Sequence, residues 1–177
     1  MSMGIYRKFG KLRSSRGFSL PDTLLIVGFL LLLVLTAIIF IDPINIQKRN
    51  RDIQRIEALD ALNRAILLAI IEGEIVLVDT EDCKTCNSAN GSNSVHGDGW
   101  VLVSNSTEET GLDAYLDKLP VDPINKPPFV YKFVSTSAQG YKLAVPFESA
   151  EYQVKMRVDG GVYEDLYEIG TDLSLEF

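Results

Sequence analysis

Cys83-Lys84-Thr85-Cys86 holds both cysteines of the 177-residue chain. Two thiols at that spacing can supply half of a tetrahedral zinc site, take part in thiol–disulfide exchange, or close on each other. A zinc site needs a second pair, which the sequence lacks. The motif also does not lead into the helix of a βαβ unit, as a thioredoxin-like site would. A disulfide between Cys83 and Cys86, stapling a loop of an exported head, is the expectation. Its ring is too short to constrain the unfolded chain by much. The single histidine, His96, lies in a Gly/Asn/Ser loop with no nucleophile-elbow motif, so an exposed loop residue is expected rather than part of a Ser-His-Asp site. No Walker-type glycine loop is present, which excludes a motor ATPase on motif grounds. Asp159, Glu164 and Asp165 surround a Gly160-Gly161 turn. Hard oxygen ligands on a turn suit Ca²⁺, but the spacing is not that of an EF-hand, and acidic turns are ordinarily just solvated. The chain is therefore expected not to be an enzyme and to need no cofactor, with calcium at that turn the one metal candidate.

Asp22 is the sharpest single residue. From Leu24 to Ile41 there are 18 residues without a charge, and from Phe18 the largely apolar run is 24 residues long. At about 1.5 Å per residue the longer run spans roughly 36 Å, enough for a hydrocarbon core of about 30 Å. A carboxylate at the start of a membrane helix is costly in hydrocarbon and needs a reason. One reason is a helix N-terminus, whose dipole favours negative charge. An ordinary secretory signal places its small-residue cleavage site after the apolar core. Here the small residue, Gly17, comes before it, and a cut there would remove a basic leader and keep the helix.

Charge is unevenly distributed. The formal net charge is −7, yet residues 1–17 carry five basic groups and no acid, residues 18–71 balance five against five, and residues 72–177 carry seven basic and nineteen acidic groups. An acidic head argues against nucleic-acid binding, which needs Lys and Arg to displace counterions. The basic leader suggests a cytoplasmic N-terminus, but Lys48, Arg49, Arg51 and Arg55 lie on the far side of the apolar run. The expected orientation therefore rests on the position of Gly17 before that run and on the polar, Cys-containing head being the exported part.

The elements that must position these residues follow in order. Asp42-Pro43 should kink or break the helix, because proline removes a hydrogen bond and clashes with the preceding turn. From Ile44 to Ile71 helical periodicity resumes. Ile53, Ile56, Leu59, Leu62, Ile66 and Ile70 share one face, while Arg51, Asp52, Arg55, Glu57, Asp60 and Arg64 fall largely elsewhere. Gly73 is the expected stop. A long turn-rich stretch follows. It holds a short strand at Ile75–Val78, a loop over 83–99, a strand or buried anchor at Trp100–Val103, and a short helix over Leu112–Leu119. Pro120-Val121-Asp122-Pro123-Ile124-Asn125 should form a rigid turn whose Asp and Asn side chains bond nearby backbone N–H groups and which docks on a sheet. Strands are expected at Phe129–Val134, Tyr141–Phe147 and Tyr152–Val158, with turns at Gln139-Gly140 and Ser149-Ala150 and alternation suited to a half-buried antiparallel sheet.

A basic leader ending in glycine, then Phe18-Ser19-Leu20-Pro21-Asp22 and a long apolar helix, resembles the class III signal of type IV pilins and type II secretion pseudopilins. Two further segments are similar to that family. One is Pro120-Val121-Asp122-Pro123 with the following Asn125 to Tyr131. The other is the tail Tyr167-Glu168-Ile169-Gly170-Thr171-Asp172, which in pilins packs beside the sheet. The resemblance implies cleavage between Gly17 and Phe18 by a prepilin peptidase, N-methylation of Phe18, and pairing of Asp22 with the Phe18 amine of a neighbouring subunit. Asp22 stands where the family usually has Glu, and Pro21 where it usually has an aliphatic residue. Major pseudopilins bind calcium in a C-terminal loop, which is the family's counterpart to the Asp159 turn.

The reading is an α+β chain with a long N-terminal hydrophobic helix on a small antiparallel β-sheet head, pilin-like in arrangement. Residues 1–17 are the cleaved leader and 18–42 the transmembrane and assembly helix. Residues 43–73 continue it as an amphipathic helix, and 74–177 form the head. The implied function is a structural subunit of a type IV pilus-like filament. The alternatives are a type II secretion pseudopilin or a membrane-anchored binding protein that never polymerises. The implied partners are identical or homologous pilin subunits, prepilin peptidase, the inner-membrane assembly platform and the membrane itself. Before assembly the chain would be a single-pass membrane protein with an exported head. Afterwards it would lie in a filament at the cell surface.

Overall fold

A leucine-rich apolar run, interrupted by Gly28 and Thr36, favours a helix, and α1 spans Leu20–Ile41. It stops at Asp42, whose backbone takes the left-handed values φ 44° and ψ 67°. Pro43 then opens α2, Pro43–Ile71. The interruption expected at Asp42-Pro43 is there, and proline chemistry accounts for it. This computed structural model describes Gly17 and residues 19–105, 111–138 and 140–177. The leader 1–16, Phe18 and Gln139 lie outside the described residues. The segment through Pro43 is one compact unit and Ile44–Phe177 another.

In the second unit α2 ends as expected at Gly73, whose φ is 75°. Glu74 N–H donates to Ala69 O at 2.9 Å and Gly73 N–H to Ile70 O at 3.1 Å, the two reverse bonds of a Schellman stop. Two antiparallel sheets follow. β1 (Ile75–Leu77) pairs with β2 (Val103–Asn105), with Val76 opposite Ser104. β3 (Lys132–Ser135), β4 (Tyr141–Val145) and β5 (Tyr167–Gly170) form the second sheet in that order, with Phe133 opposite Leu143 and Leu143 opposite Ile169. The chain is thus α+β, a long N-terminal helical region followed by small antiparallel sheets. Leu59, Leu62 and Ile66 of α2 pack with Trp100, Tyr131, Phe133, Tyr141 and Leu143 in one buried core. Tyr141 Oη crosses the sheet to donate to Asn63 Oδ1 at 2.6 Å, and burial pushes its phenol pKa up.

Four expectations are corrected. First, Tyr152–Val158 is not a strand. Residues Ala150–Met156 form α3, with Ser149 as N-cap instead of a turn residue. Glu151 in its first turn and Lys155 in its last suit the helix dipole. Tyr152 and Met156, four apart, both turn to Phe147, by an edge-on ring contact and an N–H···S bond of 3.2 Å. The alternation of Tyr152, Val154 and Met156 misled because aromatic and β-branched residues are also helix-compatible when tertiary contacts hold them. The third strand of the sheet is instead the tail segment β5.

Second, Leu112–Leu119 is a turn and not a helix. Leu112 N–H donates to Val95 O at 2.8 Å and Leu119 N–H to Asn93 O at 2.9 Å. Tyr115 and Leu116 do bond back to Leu112 O, which makes one turn that goes no further. Third, the sheet is not half-buried at its centre, because every residue of β4 is buried, Lys142 included. Fourth, Asp52 and Arg55 lie on the buried face of α2 with no solvent exposure. The partners that allow this come from far along the chain.

Candidate functional site

The residues expected to be processed and to assemble sit at the start of α1. Ser19 caps the helix with Asp22 at the third helical position. Asp22 Oδ2 accepts from Ser19 N–H at 3.1 Å and from Ser19 Oγ at 2.6 Å. This arrangement satisfies N-terminal groups that have no intrahelical partner and places a negative charge at the positive end of the dipole. Pro21 lies in the first turn, where its missing N–H costs nothing. Thr23 N–H closes the first intrahelical bond to Ser19 O at 3.0 Å. The Ser19–Asp22 contact could not be read from composition. The helix-capping role considered for Asp22 is the one these contacts show.

Gly17 is exposed, and a Cβ built there would meet nothing within 4 Å. Beyond Asp22, α1 is long and apolar enough to cross a membrane, and its described residues are exposed along its length. Leu25, Phe29 and Leu32 are among its exposed side chains.

The head unit holds a charged cluster that sequence patterning placed on the wrong face. Arg55 extends its guanidinium to three carboxylates. Nε meets Asp122 Oδ2 at 2.6 Å and Nη2 meets Asp122 Oδ1 at 3.1 Å. Nη1 donates to Asp52 Oδ1 at 2.8 Å and to Glu148 Oε1 at 2.7 Å. The Phe129 ring covers the guanidinium at 4.8 Å. Burial alone would lower the Arg55 pKa, but its bonds to Asp122 and Glu148 outweigh that and raise it. Arg51 grips Glu148 from the other side, Nε to Oε1 at 2.7 Å and Nη2 to Oε2 at 2.6 Å. These bonds, opposed by burial and joined by Arg55, hold the Glu148 carboxyl below its ordinary value.

Asp52 also caps α3, accepting from Ser149 N–H at 2.8 Å, Ser149 Oγ at 2.6 Å and Glu148 N–H at 2.9 Å. Asp122 accepts from Ile124 N–H at 2.8 Å and Asn125 N–H at 3.2 Å, which is the turn chemistry expected of it. The Pro-Asp-Pro turn therefore docks on α2 through Arg55, where the sequence led to the expectation of docking on the sheet. One fork-shaped cation ties α2, that turn and the start of α3 together.

Of the remaining candidates, Cys83 and Cys86 are joined as a disulfide. His96 is exposed in its loop. Asp159 accepts from Gly161 N–H at 2.9 Å and Glu168 N–H at 2.8 Å, so it closes its own turn, while Glu164 and Asp165 are exposed. The structure does not bring these three acids together. Among the described residues no group of three His, Cys, Asp or Glu side chains could hold a metal ion. Comparison with protein-family models, with curated proteins and with solved structures gives no match to this chain.

Proposed function

We propose that this chain is a structural subunit of a type IV pilus-like filament, cut between Gly17 and Phe18 and assembled through its N-terminal helix. The observation that carries the reading is α1 itself. It is an apolar helix of 22 residues whose large side chains, such as Leu25, Phe29 and Leu32, are exposed, while Ile44–Phe177 is a separate unit with its own core. Apolar surface on that scale needs a lipid or protein environment. A bilayer would supply it before assembly, and the helices of neighbouring subunits would supply it in the filament. Gly17-Phe18 at the boundary between the basic leader and the apolar helix supports the same reading. The polar head would be exported, and the chain would reach the cell surface as filament. In this role the chain performs no catalysis. The chemistry is done to it.

Mass spectrometry of the mature N-terminus from the native host tests the proposal. A chain beginning at N-methylated Phe18 is expected, and Gly17→Leu should block the cut. Recovery of an intact Met1 or Ser2 terminus from membranes of that host would overturn it.

A further inference from the structure

We propose that a cavity on the sheet face turned away from α2 binds a short zwitterionic peptide, held by an apolar interior and by charges of both signs that line it and form no ion pair with one another. Tyr141, Leu143 and Val145 of β4 point to α2. Lys132, Val134, Lys142 and Glu168 therefore occupy the opposite face by strand alternation. Half of that face is already covered. Lys142 Nζ pairs with Glu168 Oε1 at 2.6 Å, and the Tyr163 and Phe177 rings lie over it at 4.8 Å each. Beside that covered half, over Val134, lies a cavity of about 580 Å³. That is within the range of about 300–1,000 Å³ typical of small-molecule sites.

The walls are stiff. The Cys83–Cys86 disulfide forms one and the Pro127-Pro128 pair another. The loop carrying the disulfide is fastened to β3, Phe133 N–H donating to Cys86 O at 3.0 Å. A site that is already shaped loses little entropy when it is filled.

The rim indicates the ligand. Lys84 and Lys132 line the cavity, and so do Glu81 and Asp165. None of the four is in any ion pair among the described residues, although opposite charges share one cavity; Lys132 rests its ammonium over the Phe177 ring at 5.2 Å, a contact that leaves it able to meet a carboxylate. A ligand with an ammonium and a carboxylate on an apolar body answers all of these features, the ammonium meeting the acids and the carboxylate the lysines. The cavity is larger than one amino acid needs. The Asn90 amide also lines it: Nδ2 gives one hydrogen to Lys84 O at 3.4 Å, and the second hydrogen and the carbonyl oxygen supply the donor and acceptor that a peptide group matches. The site does not depend on whether the chain polymerises.

The test uses the full-length chain in detergent micelles with the unblocked tripeptide Ala-Leu-Ala as probe, followed by calorimetry. Binding with a Kd of about 1 mM or tighter is expected. The N-acetylated, C-amidated form of the peptide, and the double variant Lys84→Glu/Lys132→Glu, should each bind about tenfold more weakly. The near-UV signal of buried Trp100 reports whether the variant is folded. If it is not, Glu81→Gln/Asp165→Asn gives the same reading. Mass-spectrometric footprinting with an amine-acylating reagent should show peptide protection at Lys84 and none at Lys155. No binding at millimolar peptide, equal affinity for the blocked peptide, or unchanged affinity in a folded charge variant would each overturn the proposal.

Discussion

Replacing Arg55 by methionine removes a cation that holds three carboxylates and leaves an unbranched apolar side chain that fills the place of the arginine stem. Four hydrogen bonds go with it. The carboxylates left behind are not equally stranded. Asp52 keeps Ser149 and Glu148 N–H, and Glu148 keeps Arg51. Asp122 keeps two backbone donors, both on Oδ1, so its Oδ2 loses the Arg55 bond with no other donor seen in the described structure. Breaking a buried pair by deleting one partner costs roughly 3–5 kcal/mol, mainly through the charge left uncompensated. The retained donors set the expectation at the lower end, about 3 kcal/mol. For a unit of this size that is a drop of roughly 10–15 °C in Tm. The assay is thermal unfolding of the full chain in micelles, followed by the near-UV signal of Trp100, which lies in the head core. Arg55→Met/Asp122→Asn should recover about 1 kcal/mol, because the most stranded charge is gone. Arg55→Lys should rescue little, since a single ammonium cannot span three carboxylates as the guanidinium fork does. A loss below about 1 kcal/mol in Arg55→Met, or no recovery in the double variant, would refute the view that this cluster anchors the head.

Further outcomes follow from the same contacts. Glu148 has a folded pKa held below its ordinary 4.5, so its stabilisation is complete above that value and is lost as pH falls through the lower, folded one. Head stability should therefore drop on acidification below about pH 4.5, with a shallower drop in Glu148→Gln measured against the wild type by thermal unfolding across pH. Cys83→Ser/Cys86→Ser should keep the fold, since a ring closed across a sequence separation of 3 is worth about 2 kcal/mol at most by chain entropy. Loss of the Trp100 near-UV signal at room temperature would contradict that. Asp22→Ala should leave membrane insertion and head folding unchanged while reducing filament number. The reason is that an amine–carboxylate pair between apolar helices would fix a register that aliphatic packing leaves open. Normal filaments from cleaved Asp22→Ala, counted by electron microscopy of sheared material, would exclude the pairing role.

What the sequence by itself determined about this protein was local. An uncharged, largely aliphatic run of 18 residues reads as a helix long and apolar enough to cross a membrane. Proline after Asp42 breaks it, glycine at 73 stops the next one, and Asp122 between prolines folds its own turn. Each of these depends on residues a few positions apart, so each was legible. The tertiary structure decided everything that rests on distant partners. Arg55 and Asp52 looked like surface charges because their type is polar. They are buried because Asp122, Glu148 and Ser149, roughly 70 to 100 residues away, meet them. The same Asp52 supplies a cap to α3 and so helps turn a strand-like sequence into a helix. Lys142 sits in the middle strand because Glu168 and two aromatic rings come back to cover it. Burying a charge is costly alone and tolerable when paired, and whether it is paired is a property of the folded chain.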